Sequence, residues 1–201
     1  MVCVSLFMIV MLLRFSSATS AAEDAKGPTS LSDYIRPLVG TQGEGNTYPG
    51  PTAPFGMVQP GPDTNGQKFC GYDHTDPMLH GFSMTHLSGT GWWDLGDFLF
   101  MPGTGEPKFD PGAADKPRSG YQSAISHDEE TASAGYYKIK LRDYNTWGEL
   151  TASDRAAMLR IAFPESKQAW ILTDLKHVLH WDTVWSHVRV EDNSTVTGFH
   201  L

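Results

Sequence analysis

Cysteine is scarce: Cys3 and Cys70 are the only two in 201 residues. Cys3 lies in an apolar N-terminal run that would leave with a signal peptide, so the mature chain has no internal disulfide to make and must hold its fold by core burial. Cys70 reads as a small buried apolar residue, since a catalytic thiol would need an activating base. Positive charge is also in short supply. Lys and Arg number 15 against 23 Asp and Glu, for a net charge of −8 and a pI near 5.4. That balance excludes the basic face a nucleic-acid partner requires. No apolar stretch is long enough to span a bilayer, because Val2–Leu13 is followed at once by Arg14. A phosphate-binding GxxxxGK[ST] loop, a GxSxG serine elbow and a long amphipathic helical period are all missing. What remains is a chain with 40% hydrophobic and 19% charged residues, which is globular rather than disordered. Its Gly 20 and Pro 13 imply many turns.

The apolar run Val2–Leu13 and the small residues Ser16–Ala21 match the core and cleavage region of a secretory signal. Cleavage after Ala18 or Ala21 is expected, making residues 1–21 a signal peptide and 22–33 a flexible lead-in. The protein is then secreted or periplasmic. The basic residue follows the apolar core instead of preceding it, which leaves an N-terminal anchor as the alternative reading.

Residues 34–201 read as one domain. The first part, to about Ala134, is rich in loops. The second part is regular. Tyr137, Ile139 and Leu141 alternate with Lys138 and Lys140, as in a half-buried strand. Glu149–Ala152, Ala157–Phe163, Ala169–Asp174 and Val184–Val190 continue as short strand-like runs. Turn residues separate them at Asp143–Asn145, Pro164–Ser166 and Glu191–Asn193. The pattern predicts an all-β, antiparallel two-sheet β-sandwich. The chain stops at Thr197–Leu201 inside a strand-like run, so it is expected to be a truncated product or a fragment.

The densest stretch chemically is His80–Asp97, HGFSMTHLSGTGWWDLGD. Glycines let a backbone approach a ligand closely. Trp92 and Trp93 offer flat apolar faces, and Asp94 and Asp97 offer acceptors. That mixture suits a sugar, whose C–H faces stack on rings while its hydroxyls need directional partners. An irregular loop crossing a β-rich core is the bland alternative. Asp94 and Asp97 also invite an acid–base reading. An i, i+3 pair in a Gly-rich loop does not fix the separation that an acid–base pair of carboxyl groups needs. His74, His80 and His86 recur every six residues, which matches no helical or zinc-finger ligand spacing. His86 is the best functional histidine, because it alone of the three lies in the run GFSMTHLSGTGWWDLGD. Its alternative is a buried histidine bonded to backbone.

The run GFSMTHLSGTGWWDLGDFLFMPGTG resembles the N-terminal domain of glycoside hydrolase family 92, the calcium-dependent exo-α-mannosidases. So do VGTQGEGNTYPGPTAPFGMVQPGPDT, HDEETASAGYYKIKL and AFPESKQAWILTDLKH. The resemblance covers about residues 34 to 200. It implies a large supersandwich of the galactose-mutarotase type and hydrolysis of terminal α-linked mannose with inversion. It also implies a mannose-containing glycan as substrate, and a Ca2+ ion whose ligands lie outside this chain. The acid, base and calcium ligands belong to a catalytic helical-barrel domain of the same polypeptide, beyond Leu201, so the fragment alone is expected to be inactive. Within the chain, the resemblance points to Trp92, Trp93, His86, Asp94 and Asp97 as substrate-binding residues. Trp92 is favoured at the pocket, where it would help set which linkage or leaving sugar is accepted. A stand-alone carbohydrate-binding module and an inactive remnant are the competing functions.

Overall fold

The computed structural model describes residues 30–64, 68–113, 115–180 and 182–201. The expected signal peptide and most of the lead-in lie outside the described residues. The strands are β1 (Gly61–Thr64), β2 (Met78–Ser83), β3 (Leu99–Thr104), β4 (Ser123–Ala124), β5 (Glu130–Ser133), β6 (Tyr136–Leu141), β7 (Thr146–Ala152), β8 (Ala157–Ala162), β9 (Ala169–Asp174), β10 (Ser186–Val190) and β11 (Val196–His200). The only helical elements among the described residues are short 3-10 turns at Leu31–Tyr34 and His127–Glu129. No described helix is long and apolar enough to cross a membrane.

Two antiparallel sheets face each other. The first runs β1-β2-β3-β9, with β4 paired to the start of β2, and the second is the meander β5-β6-β7-β8. In β6 the predicted alternation holds: Tyr137, Ile139 and Leu141 are fully buried between half-exposed neighbours. Leu79, Phe82, Leu99 and Met101 from the first sheet meet these residues and Leu150 of β7 in one core. Leu159, Trp170 and Leu172 close its flanks. Burying such side chains contributes about 1.5–3 kcal/mol each, which answers how a chain without disulfides holds together.

The sheets are in close contact at Gly148. A Cβ built there would lie 2.4 Å from Cζ of Phe82, so the β2 ring sits directly on the β7 backbone. The third unit is the hairpin β10–β11, whose residues are mostly exposed. The all-β antiparallel sandwich expected from the alternation is the observed fold. The turns at 143–145, 164–166 and 191–193 all fall between strands.

Candidate functional site

The stretch 84–97 is a loop with a tied base. Thr85 Oγ1 donates to Asp97 Oδ2 (3.0 Å) and accepts from the Asp97 backbone N–H (2.9 Å). The backbone N–H groups of Met84 and Gly96 donate to the carbonyls of Asp97 and Thr85, at 3.0 and 2.9 Å. Asp97 Oδ1 also pairs with His200 Nδ1 at 2.7 Å. At the tip, Gly89 and Gly91 have no neighbour within 4 Å of a would-be Cβ.

Beneath this loop lies a buried ionic group. Asp63 is fully buried at the bulged end of β1. His86 Nε2 is 3.0 Å from Asp63 Oδ1 and 3.2 Å from Ser83 Oγ, while His86 Nδ1 donates to the Gln59 carbonyl at 2.8 Å. The other Asp63 oxygen faces His177 Nε2 at 3.4 Å, a contact too long for a good hydrogen bond but close for an ion pair. Gly71 is required here: its φ is +83°, and a Cβ would come within 2.3 Å of Asp63 Oδ1. Burial would raise the Asp63 pKa, but His86 and His177 outweigh it and hold the carboxyl far below its usual range.

A cavity of about 460 Å³ opens in front of this group. Thr64, His80, Asp174 and the segment Lys176–Leu179 form its floor, and Trp93, Phe109 and Asp110 form its rim. Trp93 is fixed edge-on to Phe69 (centroids 4.7 Å) and lies parallel to His180 at 6.0 Å. Asp174 accepts from the Tyr121 hydroxyl at 2.7 Å. Two histidines on this floor are driven apart electrically. Burial and the neighbouring His177 push the His80 pKa down to about 4. Burial opposes charge on His177, yet Asp63, with help from Asp174 and Asp97, raises its pKa above the ordinary value. His80 Nε2 is buried and has no hydrogen-bond partner among the described residues, and the His80 residue lines the cavity.

The sequence candidates divide over these features. Trp93 is on the rim of the large cavity, whereas Trp92 is 62% exposed near the loop tip. His86 is buried behind the cavity and reaches it only through Asp63 and His177. Asp94 and Asp97 line a second cavity of about 170 Å³ with His180, Asp182 and His200. His74, His80 and His86 do not converge: each stands in a different environment. Asp63, His177 and Asp174 were not singled out from sequence. The run ILTDLKH that contains the last two had marked itself only as part of a longer motif. Calcium takes six or more oxygen ligands. The one cluster of three potential ligands among the described residues is His74, His127 and Glu130, so its donors do not fit that ion.

Residues 34–201 match the glycosyl hydrolase family 92 N-terminal domain. A family GH92 α-mannosidase from Bacteroides thetaiotaomicron, solved in complex with mannoimidazole, is 48% identical. It superposes with a TM-score of 0.81 over 84% of this chain and 23% of its own. A family GH92 inverting mannosidase from the same species is 26% identical, with a TM-score of 0.64 over 83% of this chain and 22% of its own. An uncharacterized secreted glycosidase of Arthroderma benhamiae is 30% identical over 156 residues, which are 72% of this chain and 20% of the relative. The chain thus spans between a fifth and a quarter of the length of these relatives.

Proposed function

Because the chain belongs to glycosyl hydrolase family 92, as its N-terminal domain, we propose that it forms one wall of the substrate pocket of a secreted exo-α-mannosidase. The reaction is hydrolysis of terminal α-linked mannose with inversion. The carrying observation is the cavity of about 460 Å³, which Trp93, His80 and Asp174 line together. A ring face beside fixed polar atoms is what a pyranose needs: apolar contact on one side, directional hydrogen bonds on the other.

Each residue has a part that follows from its surroundings. Trp93 packs against the sugar's C–H face. His80, kept neutral by burial, gives a hydroxyl one fixed partner. His177, held by Asp63, which raises its pKa above the ordinary value, presents a donor to the same space. His86 is a positioning residue, holding Asp63 from behind. Thr85 and Asp97 hold the loop that presents Trp93, and Trp92 at its outer side meets the leaving sugar. Asp94 faces the smaller cavity. Neither Asp94 nor Asp97 is assigned proton transfer, since Asp97 is already engaged by Thr85 and His200. Acid, base and calcium ligands are assigned to the part of the longer relatives that this chain does not span. The exposed apolar side chains Val184, Trp185, Val188 and Val196 offer that part a surface.

The test is a domain exchange. Residues 34–201 replace the matching domain of the Bacteroides α-mannosidase, and the hybrid is assayed on an aryl α-mannoside and on α-mannobiose. The hybrid is expected to turn over both. Trp93→Ala should lower kcat/KM on both about 5- to 30-fold, the equivalent of about 1–2 kcal/mol of ring contact. Trp92→Ala should act only on the disaccharide. A hybrid that melts cooperatively but hydrolyses neither substrate, or a Trp93→Ala hybrid of unchanged kcat/KM, would sink the proposal.

A further inference from the structure

Away from the cavity, His74, His127 and Glu130 bring one ligand atom each to within 4.8 Å of one another. His74 comes from a part of the chain more than 50 residues before the other two, which are three residues apart. His74 sits in the turn after β1, held by its backbone N–H donating to the Thr41 carbonyl at 2.8 Å. His127 belongs to the 3-10 turn, and Glu130 opens β5 in the other sheet. The two imidazoles lie against each other with centroids 3.8 Å apart.

Glu130 shows how the group is built. Its side chain is 1% exposed. Oε1 accepts from two hydroxyls, Tyr72 and Tyr137, each at 2.7 Å. That leaves Oε2 turned to the histidines, 2.5 Å from His127 Nδ1 and 3.7 Å from His74 Nδ1. The Tyr72 hydroxyl also lies 3.2 Å from His74 Nδ1. A carboxylate whose far oxygen is fixed by donors, with its near oxygen beside two imidazoles, has the arrangement of a metal ligand with its outer shell in place. The imidazole side chains remain 30% and 33% exposed, which leaves an ion a way in.

We propose that His74, His127 and Glu130 bind a divalent transition-metal ion of the zinc class, with water as the fourth ligand. Two nitrogens and one carboxylate oxygen suit zinc and not calcium or magnesium, which take oxygen. Zinc bonds of about 2.0–2.2 Å in a tetrahedron put ligand atoms about 3.3 Å apart, between the 2.5 and 3.7 Å separations found here. The ion would tie the loop after β1 to the start of β5, and so pin one sheet to the other. This site does not depend on the mannosidase reading.

The experiment uses the 201-residue chain, stripped with chelator and titrated with zinc and with cobalt. Expected are one ion per chain, visible absorption of tetrahedral cobalt, and a zinc-dependent rise in melting temperature. His74→Gln and His127→Gln should each weaken binding at least about tenfold, as even an outer-shell change does, and the pair should abolish it. His187→Gln, on the exposed hairpin, should bind as the parent does. Far-UV circular dichroism establishes that the variants are folded. Absence of saturable binding at micromolar zinc overturns the proposal, leaving a plain His127–Glu130 hydrogen bond. So does unchanged binding in a folded double variant.

Discussion

Replacing Asp63 by Asn tests whether the buried ionic group is the keystone of this end of the sandwich. The side chains of Asp63, His86 and His177 are 1%, 0% and 13% exposed. In Asp63→Asn the charge is lost. The amide oxygen can satisfy one imidazole, while the amide NH2 is turned toward the other. Removing one member of a buried ion pair costs about 3–5 kcal/mol, because the remaining charge is left uncompensated. For a domain of this size each kcal/mol lowers the midpoint by about 2–4 °C, so a fall of about 6–20 °C is expected. Urea denaturation followed by circular dichroism measures the difference directly. The pH dependence supplies a second check. The folded Asp63 pKa lies below its ordinary 3.8, so its contribution is complete above that pH and is lost as pH falls through the folded value. The gap between parent and variant should therefore shrink in strong acid, and it should also narrow as pH rises through the raised His177 pKa, where that imidazole loses its charge. A gap below about 1 kcal/mol at pH 7 would show that the His86 and His177 contacts add little, and the keystone argument would fail.

The fold makes two further predictions. His80 has its pKa lowered from 6.5 to about 4, so protonation favours the unfolded chain; stability is full above pH 6.5 and declines by about 3 kcal/mol as pH falls toward 4. His80→Gln should flatten that part of the stability–pH curve, and an unaltered slope would assign it to another group. Gly148→Val should destabilise by about 1–3 kcal/mol through overpacking against Phe82, with partial recovery in a Gly148→Val, Phe82→Leu double variant; additive losses would show that the two residues are not in contact.

The regular half of the fold was legible because its strands bury one face. In β6, β8 and β9, buried or half-buried residues alternate with more exposed ones, and that alternation is written in the sequence. The first three strands were not legible. β1 is buried throughout and β2 nearly so, so neither alternates, and Gly61, Pro62, Gly81, Pro102 and Gly103 look like turn residues. The loop 84–97 announced itself by composition, but which tryptophan faces the large cavity depends on its backbone path. Asp63 meets His86 across 23 residues and His177 across a far longer span. Nothing local marks a carboxylate inside GPDT as the centre of such a group. The six-residue histidine rhythm was an accident of spacing, and His74 finds its companions more than 50 residues away.

The tied base of the 84–97 loop separates what must stay from what can change. Its anchoring bonds are made by Thr85, Asp97 and backbone groups, none of which involves the side chains at the tip. Substitutions at Gly91 and Trp92 therefore carry little folding penalty, since Gly91 has open space around it and Trp92 is mostly in solvent, whereas Gly89 at φ +74° must stay glycine. A lineage carrying this loop can explore new tip sequences one residue at a time without passing through unfolded intermediates. The tip can drift in sequence while the tied base, set by Thr85 and Asp97, stays as it is.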